Sequence, residues 1–194
     1  MGARDREPRP QPDPAAELHA DLVRAFRWRG DRTDDWYRAD PSGWWADATI
    51  LQRLGPALAD LFPDSAPTVV LGPQSRGALL GALVAAHLEV GLVELRKDPW
   101  PSADSDRWLV VRTPPDYRDL NLRVGARKDH LGAGQRVLLV DDWIQTGGQA
   151  LGARAVVEQA GATWCGAALV VDGLTDSRLR RDLAVRALLN LRDL

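Results

Sequence analysis

Two adjacent carboxylates, Asp141 and Asp142, end an apolar run and are followed by Trp-Ile-Gln-Thr-Gly-Gly-Gln. Side by side, such acids can hold the hydroxyls of a sugar or a hydrated Mg2+, an ion that favours carboxylate and phosphate oxygens. Thr146, Gly147 and Gly148, between Gln145 and Gln149, offer a hydroxyl and unpaired backbone N–H groups just where a helix is expected to start. An anion there would meet those N–H groups and the positive end of the helix dipole. The chemistry suggested is a phosphorylated sugar with a divalent ion. A plainer reading stands beside it, because acids at strand ends before glycine-rich turns often serve only as turn formers. Thr146 and the following helix favour the ligand.

Gly-Pro-Gln-Ser-Arg-Gly at 72–77 repeats the design of strand, tight turn and helix. Arg76 carries five donors in a rigid fork suited to a diphosphate, and Ser75, Gly77 and the turn amides offer further donors. A basic pair, Arg96 and Lys97, ends the next strand. The three histidines, His19, His87 and His130, lack the neighbours of a metal site or a Ser-His-Asp arrangement. The chain has neither the lysine-bearing P-loop signature nor a GxGxxG turn, which speaks against an ATPase and a dinucleotide site.

The elements that must position these groups are legible as strands at 68–71, 91–96, 137–140, 164–171 and 185–189. Helices are expected at 17–26, at 45–62 with Pro56 kinking or splitting it, at 78–88, from 150 to Gly161, and at 177–182. The interval 98–119 carries four prolines and exceeds an ordinary α/β connection, so it reads as a lid, with a strand at 108–111 and a return at 120–124. Alternating strands and helices make an α/β fold: an open, mainly parallel central sheet flanked by helices, with ligands at the carboxyl ends of the strands.

The 194 residues suffice for one domain, taken as 17–194 behind a polar, proline-rich tail at 1–16 expected to be disordered. With 27% charged residues and a net charge of −2, nothing favours nucleic acid, and no apolar run is long enough for a membrane span. Cys165 is the only cysteine, which excludes an internal disulfide and fits the cytoplasm. Its apolar surroundings read as a buried structural thiol. Eight tryptophans are many for this length, and most fall outside the expected central strands, where they could cover a ligand, a lid or a dimer contact.

VLLVDDWIQTGGQA resembles the phosphoribosyl-diphosphate signature of the type I phosphoribosyltransferases, and the adenine and orotate branch comes closest. The resemblance implies that Asp141 and Asp142 bracket the ribose hydroxyls and hold Mg2+, and that 145–149 form the 5′-phosphate loop. Ser75, Arg76 and Gly77 would belong to the diphosphate loop, with Lys97 nearby. It also implies a hood region at about 17–45, a flap at about 98–124 and a homodimer. The implied activity is transfer of phosphoribose from 5-phosphoribosyl 1-diphosphate to a nitrogenous base, with release of diphosphate. Arg76, Lys97, Arg123 and Asp142 would be the catalytic set, the three cations neutralising the leaving group. Departures stand out: Trp143 replaces a small aliphatic residue, Gln145 and Gln149 replace small or hydroxyl ones, and Arg123 stands where the adenine enzyme's loop carries a glutamate. They leave open a non-catalytic regulatory protein that binds phosphoribosyl diphosphate or a nucleotide. The acceptor base is not legible.

Overall fold

The computed structural model describes residues 13–98, 104–114 and 122–194. Helix α1, Pro14–Ala25, starts earlier than the expected 17 and takes in part of the expected tail. Asp13 caps it by accepting from the Ala15 N–H, and Pro14 at the first turn lacks the N–H that would otherwise go unpaired. Strands β1, Arg27–Arg29, and β2, Arg38–Asp40, pair as an antiparallel hairpin that the sequence pattern does not announce.

The helix expected over 45–62 is two: α2, Ser42–Ala46, and α3, Ala48–Asp60. The break falls at Asp47, whose carboxylate accepts from the Thr49 and Ile50 N–H groups, and not at Pro56, which α3 carries in its interior. A side chain that caps a new helix outweighs a single missing backbone donor.

Strand β3, Val69–Pro73, leads into α4, Arg76–Leu88, so Arg76 lies in the first helical turn. Strand β4, Gly91–Lys97, precedes β5, Trp108–Arg112, and β6, Arg123–Arg127. The return strand was expected at 120–124. Arg-Val-Gly-Ala-Arg has weak strand propensity, and pairing with β5 and β4 sets its position instead. Most of the rest of the expected flap, at 99–103 and 115–121, lies outside the described residues. Strand β7, Arg136–Ile144, is followed by α5, Gly148–Gln159, β8, Thr163–Asp172, α6, Ser177–Asp182, and β9, Val185–Asn190.

The sheet runs β5-β6-β4-β3-β7-β8-β9. The five strands from β4 to β9 pair in parallel, while β6 joins β4 and β5 antiparallel. Alternate residues of the central strands feed two cores. Val70, Leu138, Val140 and Val170 pack with Leu54, Leu58, Leu80 and Val84 of α3 and α4. Leu71, Val93, Leu95, Leu139 and Leu169 pack with Val156 and Val157 of α5. Burial on both faces is what a parallel strand of unbroken apolar residues requires. Glycine lets α4 lie close to the sheet, since a Cβ on Gly81 would stand 2.9 Å from Leu92 Cδ1 and 3.4 Å from Gly72 Cα. Among the described residues no helix is long and apolar enough to cross a membrane.

Candidate active site

The ends of β3, β4 and β7 bring the three sequence motifs together at the carboxyl edge of the sheet. β7 runs on past the expected Val140, because β8 continues to pair with it through Asp141↔Leu169, Trp143↔Val171 and Ile144↔Asp172. Asp141 and Asp142 therefore sit within a strand. Asp141 is 8% exposed. Burial, and next the charge of Asp142, hold the Asp141 carboxyl well above its ordinary range, while Lys97 pulls the other way. Its Oδ1 accepts from the Asp142 N–H at 2.9 Å and its Oδ2 from Gln149 Nε2 at 2.6 Å. Gln149, which replaces a hydroxyl residue, thus reaches back from α5 to the acid.

Arg76 joins the first loop to the acidic pair, with Nη1 donating to Asp142 Oδ2 at 2.6 Å. The guanidinium is half exposed and the carboxylate largely covered, so the fork keeps donors facing solvent. Gly77 makes this approach possible: a Cβ there would lie 2.6 Å from Pro73 Cδ, 2.7 Å from Asp141 Oδ1 and 2.9 Å from the Val140 carbonyl oxygen. Ser75 precedes α4, exposed, with its hydroxyl unused as a cap. Gln74, which the sequence did not single out, ties this loop to β4. Its N–H donates to the Leu95 carbonyl at 2.9 Å and its Oε1 accepts from the Lys97 N–H at 3.2 Å. Lys97 itself is exposed. Arg123 begins β6 beside the end of β4, where its carbonyl accepts from the Asp98 N–H at 2.6 Å. Topology therefore places Arg123 one step beyond Lys97, which pairs with Val124.

The second loop turns on Gly147, at φ +80, a left-handed conformation that glycine adopts without strain. Gly148 opens α5 and its N–H donates to Thr146 Oγ1 at 3.4 Å. Gln145 and Thr146 are exposed. Helix α6 backs the turn, and a Cβ on Gly147 would come within 2.6 Å of Leu179 Cδ2. Asp172 at the end of β8 anchors α6, accepting from the Leu174 N–H at 2.9 Å and from Arg180 Nε at 2.5 Å. This support was missed in the sequence, although Asp172-Gly173 repeats the pattern of an acid at a strand end before a glycine. Trp143 points toward the N-terminal part of the chain, with its ring 6.1 Å from Phe26 and 6.3 Å from Trp28. Trp44, fully buried, packs tilted against Phe26 with ring centroids 5.9 Å apart. Three of the eight tryptophans thus build, around Phe26, one aromatic wall beside the acids.

The assembled edge has two glycine-bearing turns that each lead into a helix, a carboxylate pair in contact with residues of both helices and an aromatic flank. Among the described residues no group of three metal-ligating side chains occurs. Two carboxylates alone suit an ion that keeps water and brings oxygens of its ligand with it, which is the habit of Mg2+.

A family model for the phosphoribosyl transferase domain matches residues 48–191. The adenine phosphoribosyltransferase of a Synechococcus species is 34% identical over 133 residues, 69% of this chain and 71% of that protein. A xanthine phosphoribosyltransferase of Shouchella clausii is 31% identical over 126 residues, 65% of this chain and 63% of its own. The crystal structure of an adenine phosphoribosyltransferase from Rhodothermus marinus superimposes with a TM-score of 0.76 at 29% identity, covering 91% of this chain and 99% of that one. The sheet order, the paired acids between two glycine turns and these likenesses agree, and the chain belongs to the type I phosphoribosyltransferase family.

Proposed function

We propose that this chain moves phosphoribose from 5-phosphoribosyl 1-diphosphate to a ring nitrogen of a purine, with adenine the first acceptor to try. The enzyme is a phosphoribosyltransferase: a ring nitrogen of the base bonds to C1′ of the ribose and gives up its proton to solvent, the bond from C1′ to the diphosphate oxygen breaks, and diphosphate departs with the electron pair. The observation that carries the assignment of residues is the 2.6 Å contact between Arg76 and Asp142, which joins one anion turn to the acidic pair. In this reading Arg76, Ser75, Gly77 and Lys97 receive the diphosphate, with Arg123 as a further cation. Asp141 and Asp142 take the ribose hydroxyls, and 145–149 take the 5′-phosphate. The transition state resembles an oxocarbenium ion, so the protein contributes mainly charge neutralisation and positioning. Bound Mg2+ would screen the diphosphate charge, held through Asp141 and Asp142 and by the substrate's own oxygens.

Ligand entry is an exchange of partners. Arg76 turns from Asp142 to the diphosphate, and the ribose replaces Gln149 on Asp141. Exposed Trp28, packed edge-on against Phe26 and Trp143, gives a flat base a surface to lie against. The hood at about 17–45, the flap at about 98–124, a homodimer and a cytoplasmic setting belong to the same proposal. Exposed Leu79 and Leu92 on α4 and β4 support the homodimer, and the free thiol of Cys165 supports the setting. A non-catalytic regulator gains no support from relatives whose names are those of enzymes. Diphosphate release measured with adenine, hypoxanthine, xanthine, guanine and orotate tests the reading. Release with a purine and not with orotate is expected, and tight binding of phosphoribosyl diphosphate with no release for any base would overturn it.

A further inference from the structure

Trp143 Nε1 donates to Gln145 Oε1 at 3.0 Å, joining the acid-bearing strand to the first residue of the second turn. That bond lies over Gly173, where a Cβ would stand 3.3 Å from each of its two atoms and 2.9 Å from the Ile144 carbonyl oxygen. The Gly173 N–H donates to that same carbonyl at 2.9 Å, so the absence of a side chain at 173 leaves the bond its room. On its other side the indole packs against Phe26 and Trp28. One side chain therefore touches both the N-terminal aromatics and the turn.

The consequence follows from the chemistry of an amide. Its terminal torsion is broad and nearly two-fold, so a free glutamine presents its oxygen or its NH2 group with similar ease. An anion is repelled by the first and attracted by the second. With Oε1 engaged by the indole, what the exposed Gln145 has left to offer is the two donors on Nε2. We propose that Trp143 is a positioning residue for phosphoribosyl transfer: its N–H fixes the Gln145 amide so that the Nε2 donors face the 5′-phosphate. This rests on the reading that 145–149 hold that phosphate.

The test is steady-state kinetics with phosphoribosyl diphosphate, Mg2+ and the preferred purine for W143F, Q145A, W143F/Q145A, Q145E and T146V. W143F keeps an aromatic ring but loses the N–H together with the five-membered half of the indole. W143F and Q145A are each expected to raise KM for phosphoribosyl diphosphate about three- to tenfold, the effect of one hydrogen bond. KM for the base and kcat should stay within about twofold, since the bond serves binding of the phosphate in ground and transition state alike. The double variant should be no worse than Q145A. Q145E keeps an acceptor for the indole but replaces the donors by charge, and should raise KM the most. Unchanged KM in W143F with a raised KM in T146V overturns the inference and leaves the phosphate loop standing. Unchanged KM in both removes the loop reading itself. Additive effects in the double variant, or an effect confined to KM for the base, also overturn it. Should W143F unfold, Q145A and Q145E at an exposed position decide the matter alone.

Discussion

Replacing Gly77 by alanine tests whether the close approach of α4 to β7 builds the site. The new Cβ would stand 2.6 Å from a proline ring, 2.7 Å from Asp141 Oδ1 and 2.9 Å from a backbone carbonyl, all shorter than ordinary van der Waals contact. Two of the three neighbours are rigid, so α4 must back away from the strand. Overpacking of this kind costs about 1–3 kcal/mol. At roughly 2–4 °C per kcal/mol for a chain of this size, G77A should melt about 2–12 °C early. The displacement also pulls Arg76 from Asp142. A shift of about 1 Å in a positioning group costs about a hundredfold, so half that shift should cost kcat/KM roughly tenfold. G132A is the control, because nothing lies within 4 Å of a Cβ there. It should change stability by less than about 0.5 kcal/mol. Calorimetry and diphosphate release on both variants suffice. If G77A melts and turns over like the wild type, the packing argument is refuted. If it melts early but keeps kcat/KM, Gly77 serves the fold and not the site.

Asp141 gives a pH prediction. Its folded pKa is raised, first by burial and then by Asp142, so the folded state binds the proton more tightly than the unfolded one. Stability is therefore lost as pH rises above the ordinary value of 3.8, and the loss is complete above the folded pKa. D141N carries no such proton: without ligand it should melt at or above the wild type near neutral pH, and the gap should close in acid. Lower stability of D141N in neutral melts would make the acid a structural cap. D172N keeps the size of Asp172 but weakens its charged hold on Arg180, and should cost about 1–3 kcal/mol. Because α6 backs Gly147, KM for phosphoribosyl diphosphate should rise too, and a drop in melting temperature with unchanged KM would separate α6 from the loop. Valine at 147 strains the fold as well as the loop, since φ is +80 and the new Cβ would stand 2.6 Å from Leu179 Cδ2, so G147V should reduce both stability and binding. Melting and a titration with phosphoribosyl diphosphate check both, and a fully stable variant would show that Leu179 yields.

The strands at the centre were legible because buried parallel strands are written as unbroken apolar runs, as at 137–140 and in Val-Val-Leu of β3. The acids and glycine turns were legible because their types and order carry chemistry. The β1–β2 hairpin was not, since its three-residue strands are largely exposed and no apolar alternation marks them. β6 was expected three residues too early, at 120–124, because its place is set by partners distant in the chain. The contact of Gln149 with Asp141 depends on how a helix start folds back over a strand end, and that of Trp143 with Gln145 on the path of the turn after the strand. Residue types alone do not express that, and both glutamines read first as departures.

If the acidic pair carries the transfer, nucleotide and diphosphate both depend on it. The most direct measurement is to incubate the chain with phosphoribosyl diphosphate, Mg2+ and adenine, and to quantify nucleotide and diphosphate together for the wild type and for D141N/D142N. Equal amounts of the two products are expected from the wild type. For the double variant the expected rate is lower by about two to four orders of magnitude, the effect of losing two hydrogen bonds to charged groups. A folded double variant that makes nucleotide as fast as the wild type would remove the acids from the reaction, and diphosphate released by the wild type without nucleotide would rule out the transfer.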